Sequence, residues 1–481
     1  MDFRSAKIVC TLGPASNSPE MIVRLMRAGM DVARLNFSHG THKDHALTIK
    51  RLREASARLT TPIAILADLQ GPKIRTGTLK DKQPVPLITG QLFTISIRPI
   101  IGTSEGVSTT YERMARDVSR GDRILLGDGL IELQVLSTTS TAVQCKVVNG
   151  GLLGEHKGIN LPGVKLRIPA VTPKDHEDLV FALEQGANFV AVSFVRSAND
   201  VLLAKKAISR AKLDVPVIAK LEKPEAIDNL DEILSVSDGV MVARGDLGVE
   251  MSPEKVPVVQ KQIISRACEA RRPVITATQM LESMTQNPRP TRAETSDVAN
   301  AVFDGSDALM LSAETASGAY PVESVQMMDR IIREAEANNA HILRPHPAQF
   351  NIAETASELI CHASEELHMK VIAVFTESGF TARLVSKHRP RRPIIAFSTI
   401  QETRRRLSLY WGVVPRTIAK VKDIEELVRC AERRLLEEHL VKRGDVVGIV
   451  AGTPLFVGGT TNFMKFHVIG TDEEKIRRDG S

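Results

Sequence analysis

Aromatic residues and cysteines are scarce in this 481-residue chain. One Trp and three Tyr are too few for the aromatic platforms on which single-stranded nucleic acids stack. The five cysteines lie far apart and include no Cys-x-x-Cys pair. This pattern is typical of reduced thiols and not of a disulfide framework or a zinc site. No apolar run approaches the roughly 20 residues of a membrane span. We therefore expect a cytoplasmic protein without a membrane or nucleic-acid partner.

Two common nucleotide-binding signatures are also absent. No Gly-Lys dipeptide occurs, so there is no Walker A loop, and no His-Arg-Asp triplet marks a protein-kinase catalytic loop. The net charge of +6 and the pI of about 9.0 suit phosphorylated metabolites. Because the basic residues are scattered along the chain, nucleic acid is the weaker interpretation.

Eight short apolar segments alternate with stretches of helical periodicity. Strands that are buried on both faces read as such apolar runs, and eight strand–helix units predict a (β/α)₈ barrel. Active sites of this fold lie at the C-terminal ends of the strands. The predicted strands are 7–12, 30–36, 62–68, 188–194, 215–221, 239–243, 273–278 and 308–312.

One unit is interrupted by about a hundred residues after the third strand. Short strands with Gly-Asp and Asn-Gly turns are predicted there, at 91–98, 123–126, 131–135 and 142–147. We interpret 70–166 as an inserted all-β domain within a barrel formed by 1–69 and 167–342. A lid that excludes water is favoured over a purely decorative insertion.

After the barrel, helix and strand patterns alternate again through 343–481. The predicted strands are 371–375, 393–397, 413–417, 445–450 and 466–469. This alternation predicts a C-terminal α/β domain with a mostly parallel sheet.

Charged residues follow two successive predicted barrel strands. Lys220 and Glu222 end one strand and point to one face because side chains alternate, and Asp246 follows the next. A lysine beside two hard carboxylates can hold Mg²⁺ together with a phosphoryl group. Each residue alone is more often part of an ordinary salt bridge, but three at adjacent strand ends favour chemistry.

Three stretches around these residues resemble the pyruvate kinase family: 218–222 (IAKLE), 241–248 (MVARGDLG) and 277–284 (ATQMLESM). The resemblance extends from Lys7 to about Val468. It implies the same barrel fold and an allosterically controlled, Mg²⁺- or Mn²⁺-dependent phosphoryl transfer from phosphoenolpyruvate to ADP, which yields pyruvate and ATP. It also implies a homotetramer.

The resemblance assigns roles to the residues at the strand ends. Glu222 and Asp246 would hold the metal, and Lys220 would stabilise the transferring phosphoryl group. The backbone at Gly245 and Asp246, with the Thr278 hydroxyl, would bind the substrate carboxylate. The family's proton relay to the enolate would involve three residues, and the sequence leaves open which of them donates the proton. These residues are Thr278, Ser312 and Glu314.

Two arginines offer two-pronged contacts to phosphate. By resemblance, Arg34 is a phosphoenolpyruvate ligand, although such a residue alone is more often part of a surface ion pair. Arg75 is a second phosphate clamp beside the nucleotide. Asn36, Ser38 and His39 complete the predicted nucleotide site.

The predicted monovalent-cation position departs from better-known family members. Their K⁺ is bound by residues that match Asn36, Ser38, Asp68 and Leu69, but those members have Thr at the position of Leu69. They also have Glu where this chain has Lys73. We expect the Lys73 ammonium to replace the ion, so that K⁺ is not required.

A turn in the C-terminal domain resembles the family's cradle for an effector phosphate. A plain strand–helix turn is an equal alternative. Glu377 stands where members activated by fructose 1,6-bisphosphate have Lys, which favours a sugar monophosphate or nucleotide monophosphate. The cradle residues are Thr376, Ser378, Gly379, Phe380 and Thr381.

Two rival functions use some of the same features. A metal-dependent aldolase or lyase acting on pyruvate-like acids would share the barrel and acid pair but would not need Lys220 or Arg75. A non-catalytic metabolite sensor would not need Lys220, Glu222, Asp246 and Thr278 intact.

Overall fold

The computed structural model describes residues 3–338, 351–455 and 460–471. The predicted boundary between barrel and C-terminal domain, at 342/343, lies outside these residues. In the described part of the chain, no helix combines the length and apolar character needed to cross a membrane.

The first part of the barrel has three strands and two helices. Ser18 caps the first helix by accepting from Met21 N, and Thr41 forms a capping box with Asp44 at the second. The elements are β1 (Lys7–Thr11), α1 (Pro19–Ala28), β2 (Val32–Asn36), α2 (His42–Leu59) and β3 (Ala64–Asp68).

The insertion that follows β3 is built almost entirely of strands around its own apolar core. One sheet has the order β11-β7-β8-β9-β5-β6, and a second pairs β10 with β4. Four of its strands were not predicted: the first, third, seventh and eighth in chain order. The elements are a 3₁₀ turn (Lys80–Lys82), β4 (Val85–Leu87), β5 (Leu92–Ser96), β6 (Gly106–Ser108), α3 (Met114–Asp117), β7 (Arg123–Leu126), β8 (Ile131–Thr138), β9 (Ala142–Asn149), β10 (Gly151–Leu153) and β11 (Ile159–Asn160).

The chain then completes the barrel with alternating helices and strands. The elements are α4 (Pro173–Glu184), β12 (Phe189–Val192), α5 (Ala198–Arg210), β13 (Val217–Leu221), α6 (Pro224–Asp228), α7 (Leu230–Val236), β14 (Gly239–Ala243), α8 (Arg244–Glu250), a 3₁₀ turn (Pro253–Lys255), α9 (Val256–Glu269), β15 (Val274–Ala277), a 3₁₀ turn (Glu282–Thr285), α10 (Arg292–Phe303), β16 (Ala308–Leu311), α11 (Ala313–Ala316) and α12 (Pro321–Ala337).

The eight barrel strands close in the order β1-β16-β15-β14-β13-β12-β3-β2, all parallel. Side chains such as Val32, Phe189 and Met310 fill the interior, so the barrel is a packed core. The predicted (β/α)₈ barrel is confirmed. The second strand begins at Val32, two residues later than predicted, because pairing with β3 starts there.

The C-terminal domain has a five-stranded sheet of order β19-β18-β17-β20-β21. Its first four strands are parallel and β21 is antiparallel, which confirms a mostly parallel sheet. The predicted last strand was wrong in its bounds, because pairing with β20 already begins at Phe463. The elements are α13 (Ile352–Glu366), β17 (Ile372–Phe375), α14 (Phe380–Lys387), β18 (Ile394–Ser398), α15 (Gln401–Leu407), β19 (Val413–Thr417), α16 (Ile424–Glu437), β20 (Val446–Ala451) and β21 (Phe463–Val468).

The C-terminal domain contacts the N-terminal ends of the barrel strands. Lys7 Nζ donates to Val413 O at 2.8 Å, and Ser408 Oγ donates to Pro62 O at 3.2 Å. The opposite, C-terminal ends of the strands are therefore left to the candidate active site and the all-β insertion.

Candidate active site

Three predicted site residues meet at the C-terminal ends of β2, β3 and β13. Arg34 Nε donates to Asp68 Oδ2 at 2.7 Å, and Lys220 Nζ lies 3.2 Å from Asp68 Oδ1. Burial would raise the pKa of Asp68, but the charges of Lys220 and Arg34 outweigh it and lower that pKa. We predicted Asp68 as a ligand of the monovalent cation, and in the structure its carboxylate already contacts the cationic side chains of Arg34 and Lys220.

Lys220 is surrounded by oxygens. Its Nζ lies 2.8 Å from Glu222 Oε1 and donates to Ser193 Oγ at 2.7 Å. Burial would lower the pKa of Lys220, but Asp68 and Glu222 raise it well above its usual value. The ammonium therefore remains charged at neutral pH.

Glu222 is buried beside a second acid. Its Oε2 accepts a hydrogen bond from Phe194 N at 2.6 Å. Burial raises the pKa of Glu222, Lys220 opposes this rise, and the negative charge of Asp246 adds to it. The pair of acids therefore favours a bound positive charge.

Helix α8 starts directly after β14, so Gly245 and Asp246 lie in its first turn. Gly245 N donates to Thr278 Oγ1 at 2.8 Å, and Thr278 Oγ1 donates to Ala277 O at 2.6 Å. Thr278 has a φ of 70°, which is uncommon for a residue other than glycine. Arg244, which we did not predict as a site residue, secures this turn by donating to Thr278 O at 2.7 Å.

Ser312 and Glu314 follow β16. Glu314 accepts from Ser312 N at 2.7 Å and from Leu281 N at 3.1 Å, and burial raises its pKa. Both carboxylate oxygens are thus occupied by backbone donors. The Ser312 Oγ is buried and has no hydrogen-bond partner among the described residues.

The predicted nucleotide residues lie around the loop after β2. Asn36 Oδ1 accepts from Ser38 N at 3.1 Å, and Arg75 Nη1 donates to His156 O of the insertion at 3.0 Å. Burial lowers the pKa of His39, and the charges of Arg75, Lys73 and Arg34 lower it further. These residues therefore share one positively charged region.

Lys73 lies at the insertion. Its side chain lies beside Gly158, as does that of Asp128: the position that a Cβ atom of residue 158 would occupy is 3.8 Å from Lys73 Cε and 3.7 Å from Asp128 Oδ1. Within the described chain Lys73 forms no ion pair. The carbonyl of Leu69, a predicted K⁺ ligand, accepts a hydrogen bond from Ser193 Oγ at 2.7 Å.

The described residues contain no group of three or more His, Cys, Asp or Glu that would hold a metal alone. Mg²⁺ commonly binds one or two carboxylates and completes its shell with substrate phosphate oxygens and water. Glu222 and Asp246 fit that mode, since both offer hard oxygens close to the cationic side chain of Lys220.

The predicted effector turn is largely self-contained. Thr376 Oγ1 accepts from Gly379 N at 2.9 Å, and Thr381 Oγ1 contacts Thr461 Oγ1 at 2.8 Å. Gly379, with a φ of 87°, precedes α14. The Glu377 carboxylate accepts from Thr399 Oγ1 at 2.9 Å and remains at the turn.

Besides Arg244, two further residues of the site were not predicted. Ser193 joins Lys220 to the Leu69 carbonyl, and Thr11 Oγ1 accepts from Arg34 Nη1 at 2.9 Å. Each is a hydroxyl at the end of a predicted strand, which was the signal available in the sequence.

A charged lysine and an arginine held among acids at the strand ends of a (β/α)₈ barrel fit the class of metal-assisted enzymes that act on phosphorylated substrates. Comparisons with known proteins define the class further. Residues 3–325 match the family model described as pyruvate kinase, barrel domain, and residues 354–467 match pyruvate kinase, alpha/beta domain.

Two similar curated proteins are both named pyruvate kinase. The protein of Sporosarcina psychrophila is 45% identical over 475 residues, covering 97% of this chain and 81% of the relative. That of Staphylococcus aureus (strain MRSA252) is 46% identical over 476 residues, covering 98% and 81%. A crystal structure of a pyruvate kinase from Cryptosporidium parvum superposes with a TM-score of 0.91 at 39% identity, covering 97% of this chain and 96% of that one.

The chain belongs to the pyruvate kinase family. It is a phosphotransferase of glycolysis, and the family implies phosphoenolpyruvate and ADP as substrates together with a divalent metal. The aldolase and sensor alternatives are thereby set aside.

Proposed function

We propose that Lys220 is the group that stabilises the phosphoryl group as it passes from phosphoenolpyruvate to ADP. The observation that carries this assignment is the Lys220 ammonium held among Asp68, Glu222 and Ser193 at 2.7–3.2 Å. Phosphoryl transfer needs positioning and charge neutralisation more than covalent help from the protein. A fixed, permanently charged donor meets that need without reorganising during the reaction.

The phosphoryl group binds between Lys220 and Arg34 in this proposal. Asp68 orients both cations, because each of its oxygens faces one of them. Glu222 and Asp246 hold the divalent ion, and the hard carboxylate oxygens favour Mg²⁺, with Mn²⁺ as a substitute. When bound, the ion neutralises negative charge on the phosphoryl oxygens.

The substrate carboxylate binds at the first turn of α8, at the backbone of Gly245 and Asp246 and the Thr278 hydroxyl. Thr278 Oγ1 donates to Ala277 O and accepts from Gly245 N. Rotation of this hydroxyl toward a ligand exchanges one neutral hydrogen bond for a charge-assisted one, which is the stronger type.

The enolate left after transfer must gain a proton. Ser312 Oγ is a buried hydroxyl without a hydrogen-bond partner among the described residues, whereas Glu314 is held by two backbone donors. We therefore assign Thr278 and Ser312 to a hydroxyl–water relay, with Glu314 as a positioning residue that fixes the loop around Ser312.

The nucleotide binds at the loop after β2, against Asn36, Ser38, His39 and Arg75. Arg75 belongs to the insertion, where its guanidinium group donates to His156 O, and it would contact the nucleotide from that side. Closure of the insertion over the strand ends would exclude water, which otherwise competes with ADP as the acceptor.

Further properties extend the proposal. Lys73 takes the place of K⁺, and the 376–381 turn binds a sugar monophosphate or nucleotide monophosphate effector.

The chain forms a homotetramer in the cytoplasm. The edge strand β21 exposes Phe466 and Val468, which is the kind of apolar edge that a second subunit covers. No disulfide joins any of the five cysteines, which suits a reducing compartment.

A coupled assay tests the central assignment. The wild type should form pyruvate and ATP from phosphoenolpyruvate and ADP in Mg²⁺ buffer, and Lys220→Ala should lose most of this rate while still binding phosphoenolpyruvate. A wild type without ATP formation would refute the activity. A fully active Lys220→Ala would refute the role of the lysine.

A further inference from the structure

A cavity of about 670 Å³ lies between helix α2 of the barrel and the C-terminal domain. It is separate from the strand ends that carry Lys220, because the C-terminal domain packs against the other end of the barrel. Five guanidinium groups and one carboxylate line it. We call it the arginine cavity, after Arg53, Arg404, Arg405, Arg416 and Arg434; the acid is Glu438.

Three of the five arginines have acidic partners. Glu438 pairs with both Arg416, at 2.5 Å, and Arg434, at 3.0 Å. Arg405 Nη1 lies 3.1 Å from Glu402 on the same helix. Arg434 also lies 3.6 Å from Glu437. The five guanidinium groups thus have three acidic partners, and the cavity retains excess positive charge.

Arg53, on the barrel wall, donates to the neutral acceptors Ile63 O at 3.1 Å, Gly186 O at 2.8 Å and Asn188 Oδ1 at 3.1 Å. None of these acceptors neutralises its charge. The guanidinium group therefore contributes a full positive charge on the barrel side of the cavity.

Arg404, on the facing C-terminal domain, has no carboxylate partner in the described chain. It donates to Thr417 Oγ1, and its Nε is buried without a hydrogen-bond partner. A buried donor without a partner is costly, and a bound acceptor would satisfy it.

Burial and the crowding of like charges both lower the pKa of two of these arginines. Burial and the neighbouring charge of Arg405 lower the pKa of Arg53 to about 10. The same two causes, burial first, lower the pKa of Arg404. A bound anion would relieve the repulsion from both walls at once.

The other residues that line the cavity limit the chemical class of its ligand. Ser56, Thr60, Thr61 and Thr417 add hydroxyl groups to the lining, and none of the described lining residues is aromatic. Guanidinium groups bind phosphate in two-pronged geometry, whereas a nucleobase would need a stacking partner. The volume falls within the range of small-molecule sites, roughly 300–1,000 Å³.

We propose that the arginine cavity binds a compact polyanion with two or more phosphate groups, which bridges the barrel and the C-terminal domain. This site is distinct from the effector turn at 376–381 and from the catalytic cluster. It binds through charge and phosphate geometry, so inorganic polyphosphates and small phosphorylated sugars share the required chemistry.

Calorimetric titration of the full chain with inorganic tripolyphosphate, without Mg²⁺ and at fixed ionic strength, tests the proposal. The wild type should bind. The double variant Arg404→Gln/Arg405→Gln should have a Kd at least about tenfold higher, as for loss of charge-assisted hydrogen bonds. Arg434→Gln, whose side chain is 48% exposed and tolerant of change, should weaken binding severalfold.

Matched controls separate this site from others. Arg433→Gln removes the same charge from an exposed position of α16 that does not line the cavity, and it should leave binding unchanged. Arg34→Gln tests the catalytic cluster and Ser378→Ala the effector turn, and both should bind tripolyphosphate like the wild type. Fructose 1,6-bisphosphate and orthophosphate, titrated alongside, distinguish a phosphorylated sugar from an inorganic ligand and two phosphates from one.

Absence of binding to the wild type would overturn the proposal, as would unchanged binding by the double and Arg434→Gln variants. Loss of binding in Arg34→Gln or Ser378→Ala would place the polyanion elsewhere. Orthophosphate binding as tightly as tripolyphosphate would refute the need for several phosphates. Because these titrations measure no catalysis, they are independent of the role proposed for Lys220.

Discussion

The Lys387 ammonium of the C-terminal domain donates to Asp307 Oδ2 at 2.6 Å. Asp307 directly precedes the last barrel strand, and both side chains are buried. Asp307 also accepts from Val274 N at 2.8 Å, and its other oxygen lies 3.1 Å from Arg389. Burial lowers the pKa of Lys387, while Asp307 supports its charged form. The two domains are therefore joined through a buried charge cluster.

We predict that Lys387→Met destabilises the folded chain by about 3 kcal/mol, the lower end of the range for breaking a buried pair, because Arg389 still neutralises Asp307. The Tm should fall by several degrees in a thermal scan. Lys420→Met, at an exposed position of the same domain, should change the Tm little. If both variants had the same Tm, the Lys387–Asp307 pair would not stabilise the junction between the two domains.

No local pattern in the sequence predicts this pair, because its members are 80 residues apart and belong to different domains. The barrel strands were predictable for the opposite reason. Strands such as β1 (Lys7–Thr11) are buried on both faces, so the apolar run at its centre is visible locally.

The missed elements are those whose signal is short or mixed. Strands β10 and β11 have three and two residues, too few for an alternating pattern to be read. Strand β21 mixes Lys465 and His467 with apolar residues because it is an edge strand, and its start was misplaced. At the site, the residue types were readable, but the sharing of Asp68 between Arg34 and Lys220 depends on barrel closure.

Removal of the Lys220 ammonium should lower kcat more than it weakens phosphoenolpyruvate binding. We predict that Lys220→Ala lowers kcat by roughly 10²–10³, as for loss of one preorganised electrostatic donor. Phosphoenolpyruvate should still bind through Arg34 and the metal. Lys206→Ala, an exposed lysine on neighbouring α5, is the control and should keep the wild-type rate. Steady-state kinetics that show near wild-type kcat for Lys220→Ala would contradict the assignment.

Cysteine reactivity should follow burial. Burial raises the pKa of Cys145 to about 12 and that of Cys10 still higher, while Cys430 alone among the five is partly exposed. Because the thiolate is the reactive form, Ellman's reagent at neutral pH should label at most Cys430 quickly, and all thiols after denaturation. Rapid labelling of a Cys430→Ser variant would contradict this.

The effector turn should discriminate against bisphosphates. The Glu377 carboxylate is fixed by Thr399, and at a phosphate cradle it repels about as strongly as a lysine would attract. Kinetics at subsaturating phosphoenolpyruvate should show activation by a sugar or nucleotide monophosphate, and Glu377→Lys should shift the response toward fructose 1,6-bisphosphate. Bisphosphate activation of the wild type at lower concentration than any monophosphate, abolished by Ser378→Ala, would refute it.

The last prediction concerns potassium. Of the oxygens expected to bind K⁺, those of Asp68 face Arg34 and Lys220, and the Leu69 carbonyl accepts from Ser193. The positive charge of Lys73 reaches the same region, since it helps lower the pKa of His39. Two cations a few ångströms apart in a partly dehydrated site repel by several kcal/mol.

The tethered ammonium should prevail over the ion, because it is covalently present and loses no translational freedom on binding. We therefore predict equal rates in K⁺ and tetramethylammonium buffers of the same ionic strength. Lys73→Glu should create a dependence on K⁺ by removing one cation and supplying an anionic ligand, whereas Lys80→Glu, exposed on the insertion, should not. A large loss of wild-type rate without K⁺ would mean that Lys73 turns away into solvent and leaves the ion its usual place.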